Sequence, residues 1–481
     1  MIPIRMRHAA AALLAVVALA LSAARAQPRA RAPRDEGPRP IDALFPSRPR
    51  IERLPNGLTV VTVAWPSPGI VAYYTLMHVG SRDEVEPGHS GFAHFFEHMM
   101  FRGTERVSQQ AWERTMQSFG ADTNAYTSMD STVYTIVAPA SALPTIVELE
   151  ADRFQHLSYS EDVFRTEAGA VRGEYEVWSS NPAQPMWETM SELAFTRHTY
   201  GHTTIGYLRD IEAMPEKYEY SRRFFRRFYT PDNATVIVVG DFDRDALLAA
   251  IRQHYGLWRG RRDRPVIPVE PEPTQGARRD LEWPGSSPPR LWIGWRVPSF
   301  DGGARTADER RRALVETAAL QVVHGLAFDA SAPLYQRLVV ERREVLELDS
   351  YDGEFSRDPG LFLAVATVSP EHEIDPVLDQ IQEELARIGR GETPPERVRA
   401  VQEHLRYAYA MGLETPASAA SLLAEMLSAA GRIEAIDEYL AALAAVTPAD
   451  VARVASRYLV PSRRFVVTLR SQALASRRGE P

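Results

Sequence analysis

The sequence predicts an α+β fold in two tandem, similar halves, each a mostly antiparallel sheet packed with helices. Three observations predict it. Strand-like and helix-like stretches are mixed within each half but do not alternate regularly, which argues against a doubly wound parallel sheet. The order of these stretches repeats after residues 259–290, an internal duplication of about 200 residues. Finally, "RFYTPDNATVIVVGD" and "RYLVPSRRFVVTLRS" each place an aromatic helix end, a proline and a strand in register, with Pro231 matching Pro461.

The elements follow in order. Residues 1–26 carry Arg5 and Arg7, an apolar run from Ala9 to Leu21 and a closing Ala24-Arg25-Ala26. This is the pattern of a cleaved secretory signal peptide, and it predicts a periplasmic location. Residues 27–40 are rich in proline and arginine and predict a disordered leader. The first half spans 41–258. "NGLTVVTVAW" and "GIVAYYTLMHVG" are β-rich runs separated by turn residues. A helix follows over 90–101, then the strand "STVYTIVAPA", the helix "LPTIVELEADRFQHL" and a long helix over 161–179. "EKYEYSRRFFRRFY" is helical, "ATVIVVGDF" is a strand and "RDALLAAIRQHYGLW" is a closing helix. Residues 259–290 show no periodicity and predict a linker that would permit a hinge. The second half, 291–475, offers the strand "RLWIGWRV", a helix near 308–328, the strand "GLFLAVATV", the helix "EIDPVLDQIQEELARI", four more helices and a last strand. Residues 476–481 are a tail.

Composition narrows the function. Of 481 residues, 44% are hydrophobic and 25% charged, as in ordinary soluble domains. The net charge of −8 argues against nucleic-acid binding. No cysteine is present, so disulfides and thiol nucleophiles are excluded and any metal site must use His, Asp or Glu. After residue 26 no run of 18 apolar residues predicts a membrane span.

The chemistry lies in "GFAHFFEHMMFRGT". His94 and His98 stand at i and i+4, on one helix face, with Glu97 beside them. Phe92, Phe95, Phe96, Met99, Met100 and Phe101 would bury these three polar side chains, which then need partners. Two imidazoles do not complete a zinc site, which takes three protein ligands in catalytic form. Glu167 and Glu174 lie two turns apart on one face of the 161–179 helix, and either could approach the pair; most helix glutamates are instead solvated. His198 and His202 are also four apart, but Gly201 and the surrounding threonines predict a loop, where that geometry is lost.

H-x-x-E-H is the inverzincin signature. From here the chain resembles the M16, or pitrilysin-like, metallopeptidases. "LPNGLTVV", "HVGSRDEVEPGHSGFAHFFEHMMFRGT", "FGADTNAYTSMDSTVY", "EAGAVRGEYEVW" and "YTPDNATVIVVGDF" carry the resemblance, most closely to M16B subunits. The resemblance implies a clamshell chamber, of which one chain forms half. It implies a single Zn2+ per chain held by His94, His98 and Glu174, with Glu97 as general base toward zinc-bound water. Glu167 would steady a ligand from behind. Asn124, Ala125 and Thr127 would lie on an edge strand to which a peptide substrate adds.

In the second half the corresponding place reads "AALQVVHGLAF", with His324 alone. The Arg and Tyr that self-sufficient family members carry there fall, by resemblance, on Val339 and Leu346, while Arg342, Arg343 and Tyr351 stand out of register. The expected function is therefore a zinc endopeptidase for short or unfolded peptides, the zinc-bearing subunit of a heterodimer whose second M16-like subunit supplies Arg and Tyr. The alternative is a non-catalytic assembly or peptide-binding subunit.

Overall fold

Two sheets of matching design organise the chain. The structure is a computed structural model and describes residues 44–351 and 355–472; the signal peptide, leader and tail lie outside them. The first sheet has the order β1-β2-β6-β3-β5-β4, from Arg50–Arg53, Thr59–Ala64, Ala234–Gly240, Ile70–Met77, Thr132–Pro139 and Asp122–Thr127. The second has the order β7-β11-β8-β10-β9, from Ala277–Trp283, Arg464–Ser471, Arg290–Val297, Gly360–Val368 and Val345–Tyr351. Set β1 aside and the two orders coincide. In each, the first and last strands of the half pair in parallel (β2 with β6, β7 with β11) and the other neighbours are antiparallel.

This arrangement corrects the reading of 259–290 as a linker free to hinge. Its second half contains β7, which pairs with β11 from Ala277–Phe465 to Trp283–Ser471. The strand "ARRDLEW" is an outer strand with mostly exposed side chains, and its apolar face (Ala277, Leu281, Trp283) is interrupted by Arg279, which hides the alternation. Its stability comes from backbone pairing and from Asp280, which accepts the Thr468 hydroxyl at 2.6 Å.

The main helices are α1 (Phe92–Met99), α2 (Gln109–Ser118), α3 (Leu143–His156), α4 (Glu161–Ser179), α5 (Ala183–Ala194), α6 (Tyr218–Phe228) and α7 (Arg244–Tyr255). The second half adds α8 (Ala307–Ala327), α9 (Ile374–Gly389), α10 (Pro395–Met411), α11 (Pro416–Ala430), α12 (Ala435–Ala445) and α13 (Pro448–Tyr458). One face of the first sheet (Val60, Val71, Tyr73, Val236, Val238) packs on α1, α3, α6 and α7. The other face (Val61, Val63, Ala72, Ile237, Val239) is covered by α11 of the second half, through residues such as Leu423 and Leu427. Burial on both faces explains why β6 reads as an unbroken apolar run.

The exchange is reciprocal. Helix α5 of the first half lays Met186, Met190 and Ala194 on Leu363, Phe465, Val467 and Leu469 of the second sheet. Gly294 in β8 makes room for it: a Cβ there would lie 2.7 Å from the Met190 sulfur. Each sheet thus needs a helix from the other half to complete its core. Among the described residues, no helix is long and apolar enough to cross a membrane.

Candidate metal centre

The centre is built around α1, whose eight residues "FAHFFEHM" enter from a tight turn. Gly91 precedes the helix at φ 90°, a left-handed conformation, and a Cβ there would lie 2.4 Å from the Ile205 carbonyl oxygen. Only glycine fits both demands. The free N–H groups of the first turn are met by Glu84, whose carboxylate accepts from Gly91 at 2.7 Å and Ala93 at 2.6 Å. Burial pushes the Glu84 carboxyl well up, against the lowering effect of those two N–H groups.

The apolar side of α1 is locked by rings. Phe92 meets Tyr220 edge-on at 4.6 Å, Phe95 meets Phe164 of α4 at 5.1 Å, and Phe96 stacks on Phe224 of α6 at 5.0 Å. The helix cannot rotate without breaking these contacts, so its polar stripe is fixed toward α4 and β4.

On that stripe the predicted residues meet. One ligand atom each from His94, His98 and Glu174 lie within 4.8 Å of one another, the one such group of three among the described residues. Glu174 Oε2 is 3.3 Å from His98 Nε2 and 3.6 Å from His94 Nε2. The two turns between Glu167 and Glu174 span about 10 Å of helix. They let one glutamate reach each nitrogen of the His98 ring. Glu167, buried, accepts from Nδ1 at 2.8 Å and is closely paired with Arg102 through its other oxygen. Glu174 faces Nε2. The glutamate order is thus decided by position: Glu174 joins the convergent group and Glu167 stands behind it.

Glu97 points the other way, toward the sheet edge. Its Oε2 accepts the Thr127 hydroxyl at 2.7 Å. Thr127 ends β4, the terminal strand of the first sheet. Asn124 and Tyr126 on that strand are exposed. The Ala125 N–H donates to the Asn124 side-chain oxygen at 2.9 Å.

The electrostatics follow the contacts. Burial opposes charge on His98, but its hydrogen bonds to Glu167 and Glu174 outweigh it and push the imidazole up to about 9. Burial and the neighbouring His98 together push His94 down to about 4. Burial raises the Glu97 carboxyl, and the Thr127 hydrogen bond only partly offsets that. Glu167 and Glu174 are both held below the usual carboxylate range: burial opposes this, but the His98 hydrogen bond and nearby cations prevail.

Other predicted residues are placed elsewhere. His198 and His202 flank a short 3-10 turn and face different partners, His198 Nε2 toward Asp358 (3.0 Å) and His202 Nδ1 toward the Thr203 carbonyl (3.0 Å). Val339 lies in a π-helical turn packed on the core, Leu346 is exposed on β9, and Arg342 pairs with Glu344 at 3.6 Å. Arg102 and Glu84 were not foreseen. Neither stands in a spacing that points to the site, and only folding brings Arg102 to Glu167 and Glu84 to the start of α1.

The donor set fits zinc: two imidazoles that turn Nε2 toward one carboxylate are the three protein ligands of a catalytic site. The Nδ1 of His98 is oriented by a carboxylate, as metal-bound histidines commonly are.

Comparison with known proteins agrees with this chemistry. Residues 59–207 match the insulinase family, peptidase family M16, and residues 217–405 match the peptidase M16 inactive domain. The chain belongs to the M16 peptidase family. It is 26% identical over 430 residues to the zinc protease PqqE of Helicobacter pylori, covering 87% of this chain and 91% of that one. An uncharacterized zinc protease from Streptomyces coelicolor is 28% identical, over 84% and 85% of the two chains. A probable mitochondrial-processing peptidase subunit beta from Schizosaccharomyces pombe is 26% identical, over 84% and 88%. The crystal structure of a protease from Helicobacter pylori superposes with a TM-score of 0.79 at 25% identity, over 88% of this chain and 99% of that one. Family membership supports a peptidase function, and the names of the relatives imply zinc.

Proposed function

We propose that the chain is a zinc-dependent endopeptidase for short or unfolded peptides. The observation that carries this is the convergence of His94, His98 and Glu174 beside a carboxylate, Glu97, that is tied to an open sheet edge. His94, His98 and Glu174 would hold one zinc ion per chain. Zinc bound there supplies Lewis acidity toward a peptide carbonyl and lowers the pKa of a water.

The chain's own residues do the rest. Glu97 keeps Oε2 on Thr127 and has Oε1 to take a proton from the attacking water as its oxygen adds to the carbonyl carbon. The same proton then passes to the amide nitrogen as the C–N bond breaks. Glu167 and Arg102 fix the His98 ring so that Nε2 faces inward. A substrate strand would add along β4, its carbonyl replacing the Asn124 side chain on the Ala125 N–H. Main-chain pairing of this kind tolerates many sequences but demands an extended peptide.

Val339 and Leu346 cannot stabilise an oxyanion, which favours a second M16-like chain as the source of an Arg and a Tyr. The signal-like residues 1–26 favour export to the periplasm. The test is zinc content and peptide cleavage by the mature chain, alone and mixed with its nearest M16-like companion. One zinc per chain with cleavage only in the mixture is expected. Zinc with full activity alone removes the partner, and no zinc with no activity in either sample returns the chain to a structural role.

A further inference from the structure

One polar cluster lies outside the metal-centre residues, with Asp130, His198 and Tyr200 buried and Arg82 and Asp358 partly buried. It lies where residues 80–84, the β4–β5 turn and residues 198–200 of the first half meet residues 357 and 358 of the second. Arg82 Nε donates to Asp358 Oδ2 in a close ion pair and sits 3.8 Å from Asp130 Oδ1. His198 Nδ1 accepts the Tyr200 N–H at 3.0 Å, so the neutral ring carries its proton on Nε2 and donates it to Asp358 Oδ2 at 3.0 Å. The Tyr200 hydroxyl donates to Asp130 Oδ1 at 2.7 Å and accepts the Asp358 N–H at 3.3 Å. The Arg357 N–H donates to Asp130 Oδ2 at 3.0 Å.

A partly buried ionic network is weak evidence for stability, because desolvation opposes the pairing. Its position says more. Arg82 lies in a loop that touches both working parts of the site. On one side its N–H donates to the Met129 carbonyl at 2.8 Å, and Gly80 packs so closely that a Cβ would lie 2.4 Å from that same oxygen. Met129 is in the turn directly after Thr127 and β4. On the other side, two residues beyond Arg82, Glu84 holds the first turn of α1. One loop therefore sets the distance between the helix that carries Glu97 and the edge strand that would carry substrate.

We propose that Asp358, supplied by the half without the metal group, is a positioning residue for peptide hydrolysis. It locks Arg82 and thereby fixes β4 against α1. This rests on the reading of the chain as a peptidase that docks peptides on β4. It gives the second half a part in the reaction that needs no contact with substrate.

The experiment uses the full mature chain carrying Asp358→Asn, with Asp358→Glu and Tyr200→Phe alongside. Zinc content, thermal melting, and kcat and KM are measured, with the companion chain where activity requires it. Two substrates are compared: a long unstructured peptide that can lie along β4, and a short one that reaches only the centre. Asp358→Asn is expected to keep one zinc per chain and a cooperative melt, while KM for the long peptide rises about tenfold. The short peptide should change less than about threefold, and Asp358→Glu should recover most of the loss. Tyr200→Phe should move in the same direction by less, and it carries the test if Asp358→Asn does not fold. An equal change on both peptides, or an unchanged KM for the long one, overturns the positioning role. Absence of cleavage by the zinc-loaded wild type is a different failure, seen before any substitution: it removes the peptidase reading, and the positioning role falls with it.

Discussion

The two halves share a strand order but not the His–Glu cluster, and the helix after the second strand, in chain order, of that shared set (β3 or β8) shows why. In the first half this helix is α1. It presents His94, Glu97 and His98, and faces Glu167 and Glu174 on α4. In the second half it is α8, which presents His324 alone. His324 Nδ1 pairs closely with Ser350 on the outer strand β9, and its Nε2 lies 3.8 Å from Asp329. Both halves thus join a helix to their terminal strand by a side-chain hydrogen bond, Glu97 to Thr127 and His324 to Ser350. A metal group needs more than that shared link. It needs three donors converging from two helices, and one histidine with a serine cannot supply them.

The contrast can be broken most severely at the ligands. His98→Ala should lower zinc to well below one per chain and reduce cleavage to background, measured by metal analysis and peptide assay. Glu97→Gln should retain zinc and peptide binding while kcat falls by about 10²–10⁴; retained cleavage would remove Glu97 as the base. Glu167→Gln should be milder, weakening zinc affinity by about 10–100-fold, because Glu167 orients His98 and is not in the convergent group; competition with a chelator reads this directly.

Two further measurements sharpen the comparison by asking how separate the halves are. Met190 is fully buried and belongs to the first half, yet it packs on the second sheet. Met190→Ala should cost about 2–5 kcal/mol and still give one melting transition. Two transitions would show that the halves unfold independently. The smallest effect concerns Asp83, a cost of shaping loop 80–84. Burial pushes its carboxyl up to about 6, with Gly80 N–H and Arg82 opposing, against an ordinary value of 3.8. A raised value means the folded chain prefers the proton. The stability linked to it is full below about pH 4 and is lost as pH rises through about 6. Asp83→Asn should therefore melt progressively higher relative to wild type as pH rises from about 4 to about 6 and level off above that, by about 1–2 °C at the plateau.

Much of this was legible in the sequence. The i, i+3, i+4 placement of His94, Glu97 and His98 needs only helix geometry, and the apolar residues around them already required burial. The repeat of Pro231 and Pro461 marked equivalent strands, β6 and β11, which occupy the same place in their sheets. What periodicity could not register was β7, because its short apolar face (Ala277, Leu281, Trp283) is interrupted by Arg279 and set among charged residues. It also could not register α5 and α11, whose apolar residues say that they are buried but not in which half.

The sequence by itself therefore determined the α+β class, the duplication and the helix that carries His94, Glu97 and His98, since these depend on spacing along the chain. Tertiary structure alone decided which glutamate joins the histidines, which strand edge stays open beside Glu97, and that each sheet borrows a helix from the other half. Those outcomes depend on residues far apart in sequence, such as Arg82 and Asp358, whose contact no local pattern encodes. Side-chain packing between the two sheets and the helices they exchange fixes them.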